Sequence, residues 1–444
     1  TNGGLDILNL KTNIVSHYKN DPSDPASLSN NQPRAIFEDK TSGLWIGNEG
    51  DKINKLLERK SFNTYRNIPG KANSLSNNLI RSLYEDETGV IWVGTQGGGL
   101  NLLDRSTGDI RMFEYNDQLV HAEISAIYKD EEGKVWIGTW GGGINIYDPL
   151  TGTIDTLQNK PGVSNSLQDN RIQVFHKDKF GVFWIGTENG LATYDVSADK
   201  WTRTSYDQLK STIQGKAFIE DDDGTLYIGT WSGLNTLSPD RTSITTYGLQ
   251  TEDRAGLSSD HVISLHLDAD KKLWIGTFGG GLNVLDTKSG SLKSFTEKDG
   301  LANNVVFGIL EDEDNNIWAA TNNGLSKFNK ATEEFRSYDA SEGLQSNEFY
   351  WGASFKNSDG SLMFGGVNGL NIFYPNEIKN NTNVPPVVIS DFQIFNRPVG
   401  IGTDSILNQS ISFTKSLDLD YTHSVLSFSF AALNFNSPEK NQYA

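Results

Sequence analysis

The stretch IWVGTQGGGLNLLDRSTG, from Ile91 to Gly108, decides the fold because the chain repeats it. VWIGTWGGGINIYDPLTG follows at Val135 to Gly152, and LWIGTFGGGLNVLDTKSG at Leu273 to Gly290. Each copy reads as a strand, a glycine-rich turn, a second strand and a second turn. The first strand is apolar at successive positions rather than alternate ones, the pattern of a strand buried on both faces. Trp92 and Gly94 share one of those faces. The indole fills space toward the next sheet, and the glycine admits a neighbouring side chain. The later glycines form a tight turn in which one residue is free to vary. It is Gln96, Trp140 and Phe278 in the three quoted copies, and Glu188 and Trp231 in shorter turns.

The tryptophan position recurs as Trp45, Trp92, Trp136, Trp184, Tyr227, Trp274, Trp318 and Phe364. The period is roughly 45 residues, that of a four-stranded propeller blade. Within one unit four short extended segments alternate with turns: LIRSLYED (strand a), VIWVGT (b), GLNLLDR (c) and DIRMFEY (d). No segment keeps a helical apolar period. The a–b turns read EDETG, KDEEG and EDDDG, and the c–d turns DRSTG, DPLTG and DTKSG, with Asp and Ser to cap and Gly to supply positive φ. The d–a connections read SLSNN, SLQDN, GLSSD, GLANN and GLQSN, where the Leu is expected to plug the loop from beneath.

The last unit, GASFKNSDGSLMFGGVNGLNIFYP, has strands a, b and c but no d. A closed ring must take that strand from elsewhere, and SFNTYRNI, Ser61 to Ile68, is free to supply it. This closes seven four-stranded blades. The alternative is an eight-bladed ring over residues 33–374.

The chain of 444 residues carries a net charge of −18 and no cysteine. The charge argues against nucleic acid and anionic membrane surfaces. The absence of thiols removes disulfides, thiol catalysis and zinc–thiolate sites. No apolar run reaches the length of a membrane span. The chain begins and ends abruptly and reads as a piece of something longer.

The repeated text resembles the two-component regulator propeller repeat of bacterial hybrid histidine kinases, found especially in glycan-degrading gut Bacteroidetes. PPVVISDFQIFNRPV at Pro385 and LSFSFAALNFNSPEKNQYA at Leu426 resemble the start of the three-tyrosine β-sandwich that follows such propellers. The fold expected is all-β: a seven-bladed β-propeller (alternatively eight-bladed) and then a partial Ig-like β-sandwich. Residues 1–60 would end an upstream propeller, 61–380 form the ring and 384–444 open the sandwich. In the strand at Leu426 the residues Leu426, Phe428 and Phe430 share a face, as in a half-buried strand.

The b–c and d–a loops of a propeller emerge on one face of the ring. Gln96, Trp140, Glu188, Trp231, Phe278 and Asn322 should therefore surround one end of the channel as ligand-binding residues. Aromatic loop tips are flat apolar platforms suited to sugar rings. The competing reading is packing against neighbouring loops. The acidic a–b turns lack the spacing of a calcium loop and read as solvated turns. Of six histidines, His261 and His266 fall five apart on one strand, on opposite faces, and no metal set is formed. No catalytic motif occurs, and neither a metal nor a cofactor is expected.

The resemblance implies the periplasmic ligand-sensing region of an inner-membrane hybrid histidine kinase. It would recognise an oligosaccharide, act as a homodimer, control glycan-utilisation genes and touch the membrane only through a helix outside this chain. A propeller glycoside hydrolase or lyase, or a protein-interaction platform, is the alternative.

Overall fold

The computed structural model describes residues 3–10, 13–22, 27–39, 43–50, 52–56, 62–203, 209, 213–249, 256–378, 386–403 and 405–433. Two compact units result: Ser61–Ile378, and a second made of Thr1–Lys60 with Lys379–Ala444.

The larger unit is a propeller of seven antiparallel blades. Blade 1 is built of strands a to d at Ile80–Glu85, Val90–Thr95, Leu100–Asp104 and Asp109–Met112. Blades 2, 3, 5 and 6 repeat the plan, with strand a at Ile124–Lys129, Ile172–Lys177, Val262–Leu267 and Val306–Glu311. Blade 4 begins with Ile213–Glu220 and blade 7 with Phe349–Lys356. A single parallel bridge, Lys216 to Ser264, joins blades 4 and 5 along their inner strands. The a strands neighbour one another in order from blade 1 to blade 7 and back to blade 1.

Ring closure uses the N-terminal strand. Asn63–Tyr65 pairs with strand c of blade 7, Gly369–Phe373, in the register Tyr65 to Leu370, Thr64 to Asn371 and Asn63 to Ile372. Asn371 Nδ2 donates to Thr64 Oγ1 at 3.0 Å, and the Arg66 guanidinium donates to the Gln345 carbonyl at 2.7 Å. Phe62 anchors the strand, fully buried against Phe373 with ring centroids 4.8 Å apart.

The seams between blades show what the repeated glycine does. A Cβ on Gly138 would stand 2.6 Å from Ile172 Cγ2 of blade 3, and one on Gly365 would stand 2.6 Å from Ile80 Cβ of blade 1. The same approach joins blade 7 to blade 1 as joins blade 2 to blade 3. Blade 6 inverts the arrangement: Ala320 replaces the strand-b glycine, and its ladder partner on strand a is Gly308. The plug leucines Leu75, Leu167, Leu257, Leu301 and Leu344 are all buried.

The acidic turns are solvated, with Glu313, Asp314 and Asn315 exposed, except at the residue that caps them. Their first aspartate is a structural cap. Oδ1 of Asp178 accepts the amides of Phe180 and Val182 at 3.0 and 2.9 Å, and Oδ2 accepts the Trp184 indole N–H at 2.9 Å. Asp86, Asp130, Asp268 and Asp312 hold Trp92, Trp136, Trp274 and Trp318 in the same way. The carboxylate is paid for by its donors, so Asp178, Asp268 and Asp312 are buried.

In the second unit Leu5–Asn9 pairs with Ile14–Tyr18. Pro33–Glu38, Leu44–Asn48 and Lys52–Leu56 form a three-stranded sheet. Leu5, Leu28 and Ile46 are its core. Toward the C-terminus Val387–Ile394 pairs with Arg397–Pro398 and Leu426–Ala432. Phe392 is buried with Leu407 and Ile411. Its cross-strand partner Phe428 stacks on it at 4.9 Å yet is exposed, as are Leu426 and Phe430. The half-burial expected of this strand is therefore absent among the described residues. Leu407 and Ile411 cover Phe392 and leave the far end of the face open.

Candidate ligand-binding site

One backbone bond sets the b–c loop tips. The amides of Gln96, Trp140, Glu188, Phe278 and Asn322 donate to the carbonyls of Leu79, Glu123, Arg171, His261 and Val305 at 2.9 to 3.3 Å. Each acceptor immediately precedes strand a of its own blade. The variable residue thus leaves these five blades at an equivalent point, at the end of the ring from which the d–a connections enter.

A second feature, which the sequence reading missed, aims side chains at that point. Every a strand carries a register shift just after its first residue, located at Arg81, Ser125, Gln173, Ile263 and Phe307 in blades 1, 2, 3, 5 and 6. A bulge re-aims the extra residue and bends the strand. In blades 4 and 7 the strand is eight residues long instead of six, and the irregular stretch widens to Ile213/Phe218 and Phe349/Ser354. Gly352 within the second takes φ +80°. The two long strands meet across the channel. The signal was present: TIQGKAFIED and EFYWGASFKN each hold two residues more than the corresponding run in the other units.

The blade 7 insertion contributes Tyr350 and Trp351, which join the loop-tip aromatics into one arc. Trp231 stacks on Phe278 at 6.2 Å and meets His261 edge-on at 4.7 Å. Phe278 lies 6.5 Å from Trp351, and Trp351 lies 5.4 Å from Tyr350. The Arg81 guanidinium sits over both Tyr350, at 5.6 Å, and Trp140, at 4.7 Å. Phe278 is 43% exposed and offers its ring to solvent. Arg81 is buried and paired with Glu123. Burial pulls its pKa below the ordinary value, against the opposing effects of Tyr350 and Glu188. An arginine held between two aromatic faces and a carboxylate fixes those faces in place.

Of the six residues proposed from sequence, Trp140, Trp231 and Phe278 enter the arc. Glu188 reaches it through Arg81 and accepts a hydrogen bond from Gln173 at 3.2 Å. Gln96 lies outside the ring contacts, with its amide oxygen buried and without a partner. Asn322 is exposed and makes no ring contact. The Trp231 indole N–H is buried without an acceptor.

The histidine reading needs correction. Strand a of blade 5 begins at Val262, and the register shift after it separates His261 from His266. His261 belongs to the arc. His266 lies toward the other face, where it meets Glu311 at 3.2 Å. Among the described residues no group of three or more acidic or histidine side chains could hold a metal ion, and no helix is long and apolar enough to cross a membrane.

A ring of repeats with aromatic loop tips defines a class of protein. Residues 74–97, 118–141, 166–189, 256–279 and 300–323, in blades 1, 2, 3, 5 and 6, match the two component regulator propeller family. The chain is similar to a solved extracellular domain from B. thetaiotaomicron, BT3049, described as part of a hybrid two component system. The TM-score is 0.79 and identity 27%, over 98% of this chain and 57% of that one. A second such domain from the same organism, BT4673, shares the fold with TM-score 0.58 and 23% identity, over 97% of this chain and 58% of that one. Histidine kinase P4 of Formosa agariphila is 29% identical over 321 residues, 59% of this chain and 23% of the kinase. The chain thus spans under two thirds of the length of these relatives.

Proposed function

We propose that this chain is the ligand-sensing part of the extracellular region of a hybrid two-component histidine kinase, and that its ligand is an oligosaccharide taken up on the aromatic arc. The similarity to BT3049 and to a histidine kinase supports the first half. The observation that carries the second is the continuous run from Trp140 through Arg81, Tyr350, Trp351 and Phe278 to Trp231. Stacked rings at one end of a rigid barrel suit the apolar faces of sugars, and their rotamers are already fixed, so little entropy is lost on binding. Residues 1–60 then belong to an upstream propeller, residues 384–444 open the sandwich, and the region lies in the periplasm and controls glycan-utilisation genes. This reading gives the fragment no catalytic role.

The test is a glycan panel titrated against the intact extracellular region, followed by indole fluorescence and calorimetry. Trp231→Ala and Phe278→Ala should each weaken the best glycan by about 1–3 kcal/mol, the range for a buried aromatic anchor. Both should melt close to wild type. Wild-type affinity in variants that melt early would make these rings packing residues and overturn the site. The same region is proposed to act as a homodimer held through the sandwich. Light scattering with and without the residues after 383 checks this, and an unchanged oligomeric state on deletion rejects it.

A further inference from the structure

On the face of the ring opposite the arc, three seams carry a cation from a c–d turn among the described residues, whereas the seam between blades 2 and 3 carries a cavity. Between blades 3 and 4 Arg241, from the c–d turn of blade 4, donates to Asp178 Oδ2 at 2.7 Å and faces Glu220 at 3.6 Å. Between blades 5 and 6 Lys330, from the c–d turn of blade 6, donates to Asp268 Oδ2 at 3.0 Å and pairs with Glu311. Between blades 7 and 1 Arg105, from the c–d turn of blade 1, pairs with Asp359 and with Glu85. In the first two seams the cap oxygen that receives the indole N–H receives a cation as well. An oxygen with two lone pairs aimed into a seam is then fully used.

Between blades 2 and 3 the first residue after strand c, where blades 6 and 1 carry Lys330 and Arg105, is Val196, which is 53% exposed and has no charge to give; Arg241 stands further along its own turn. A cavity of about 550 Å³ stands there, reached from solvent and lined by Asp130, Trp136, Phe183, Tyr194 and Val196 among others. Among the described residues Asp130 Oδ2 accepts only the Trp136 indole, at 2.8 Å. Lys177, which stands where Glu220 and Glu311 stand in the later blades, pairs with Glu131 on the rim instead. Four carboxylates, Asp130, Glu131, Glu132 and Asp195, line the cavity against two ammonium groups, Lys177 and Lys200.

We infer that the seam between blades 2 and 3 is a binding site for a small organic cation, whose amidinium, guanidinium or ammonium head takes the place on Asp130 Oδ2 that Arg241 and Lys330 fill elsewhere. Its body packs on the rings of Phe183 and Tyr194. The charge follows from the excess of carboxylates, and the flat or apolar body follows from the aromatic wall. The site is separate from the aromatic arc and is independent of the oligosaccharide reading.

Benzamidine is the probe and benzamide, the same shape without the charge, is its control. The readout is the ¹H–¹⁵N resonance of the Trp136 indole, which donates to the same carboxylate oxygen, with Trp136→Phe assigning the peak. Benzamidine should shift that resonance in a saturable way and benzamide should not. Val196→Arg places a cation where Lys330 and Arg105 stand in blades 6 and 1, so it should weaken benzamidine by about tenfold or more while the chain stays folded. Asp130→Asn should do the same without adding bulk, and Val196→Lys serves if the arginine variant does not fold. No shift with benzamidine up to its solubility overturns the inference. So does a shift that benzamide reproduces, or one that survives both Val196→Arg and Asp130→Asn.

Discussion

Gly276→Ala puts one methyl group into the seam between blades 5 and 6. The new Cβ would stand 2.1 Å from Ser264 Oγ, 2.6 Å from the Val306 carbonyl oxygen and 2.9 Å from Val306 Cγ1. Gly276 is not in the left-handed region, so the backbone accepts alanine and the cost is purely one of space. Ser264 can turn aside only by giving up its hydrogen bond to the Val306 carbonyl at 3.1 Å, a loss of about 1 kcal/mol. The carbonyl belongs to the inner strand of blade 6 and moves only with that strand. Overpacking of this kind costs about 1–3 kcal/mol, and the lower chain entropy of alanine in the unfolded state returns about 0.4–1 kcal/mol. The net expectation is a destabilisation of about 2–3 kcal/mol. Blade 6 shows the compensating arrangement, with Gly308 opposite Ala320. Adding Ser264→Gly to Gly276→Ala reproduces that pair in blade 5, removes the serine obstacle and should give a favourable coupling of about 1 kcal/mol. Urea unfolding of the four members of the cycle, followed by indole fluorescence, measures both quantities. A Gly276→Ala chain within about 0.5 kcal/mol of wild type would refute the claim that close blade contact fixes the glycine.

Phe62→Ala should cost about 3–5 kcal/mol, as for other buried aromatic truncations, and should speed amide exchange across Gly369–Phe373, because Phe62 anchors the strand that closes the ring. Unchanged exchange there would mean closure does not depend on it. For pH, burial raises the Asp268 carboxyl, but the Trp274 indole, the Lys272 amide and Lys330 outweigh it and hold the pKa below the ordinary value. A depressed native pKa contributes stability that is present above the unfolded value and is lost as pH falls through the folded one. The unfolding midpoint should therefore drop on acidification below about pH 4. The slope should be shallower in Asp268→Asn, and equal slopes would remove the cap from the account. Trp136→Ala should destabilise by about 3–5 kcal/mol, well beyond Trp231→Ala, since Trp136 is buried in the seam and Trp231 lies at a loop tip. Equal melting of the two would erase the distinction between packing and recognition rings.

The ring was legible in the sequence because its constraints repeat. A strand buried on both faces cannot alternate, so Trp136, Ile137 and Gly138 follow one another, and the glycine is fixed by the Ile172 side chain of the next blade. The missing outer strand could be counted, and residues 63–65 fill it. The capping of the acidic turns by Asp was legible, but the burial of the cap was not, because a solvated cap and a buried one leave the same letters. What separates them is the indole six residues on, which is visible in sequence only once its N–H is asked for a partner. His261 and the strand at Leu426 were misplaced for a related reason. Periodicity assumes an unbroken register and a covered face, and a register shift defeats the first assumption while partial cover defeats the second.

The candidate site was legible in half. The loop-tip residues could be named because they vary while the glycines around them do not. Tyr350 and Trp351 could not be found by looking for variation inside the repeat, since they belong to a departure from it; Arg81 stands at the position held by Ser125, Gln173, Ile263 and Phe307 in other blades, which varies inside the repeat but whose aim depends on the register shift. The family match falls on blades 1, 2, 3, 5 and 6, whereas the eight-residue inner strands are those of blades 4 and 7. Those two strands meet across the channel, and blade 7 supplies the rings that connect Trp140 to Phe278. Two extra residues in an inner strand are costly in a ring whose seams leave no room for a methyl group. A bulge tolerates them only where the chain can swell into open space, and the channel is the space available. A departure of this kind in a repeat protein therefore points to the axis, and the side chains it carries are the ones to mutate first.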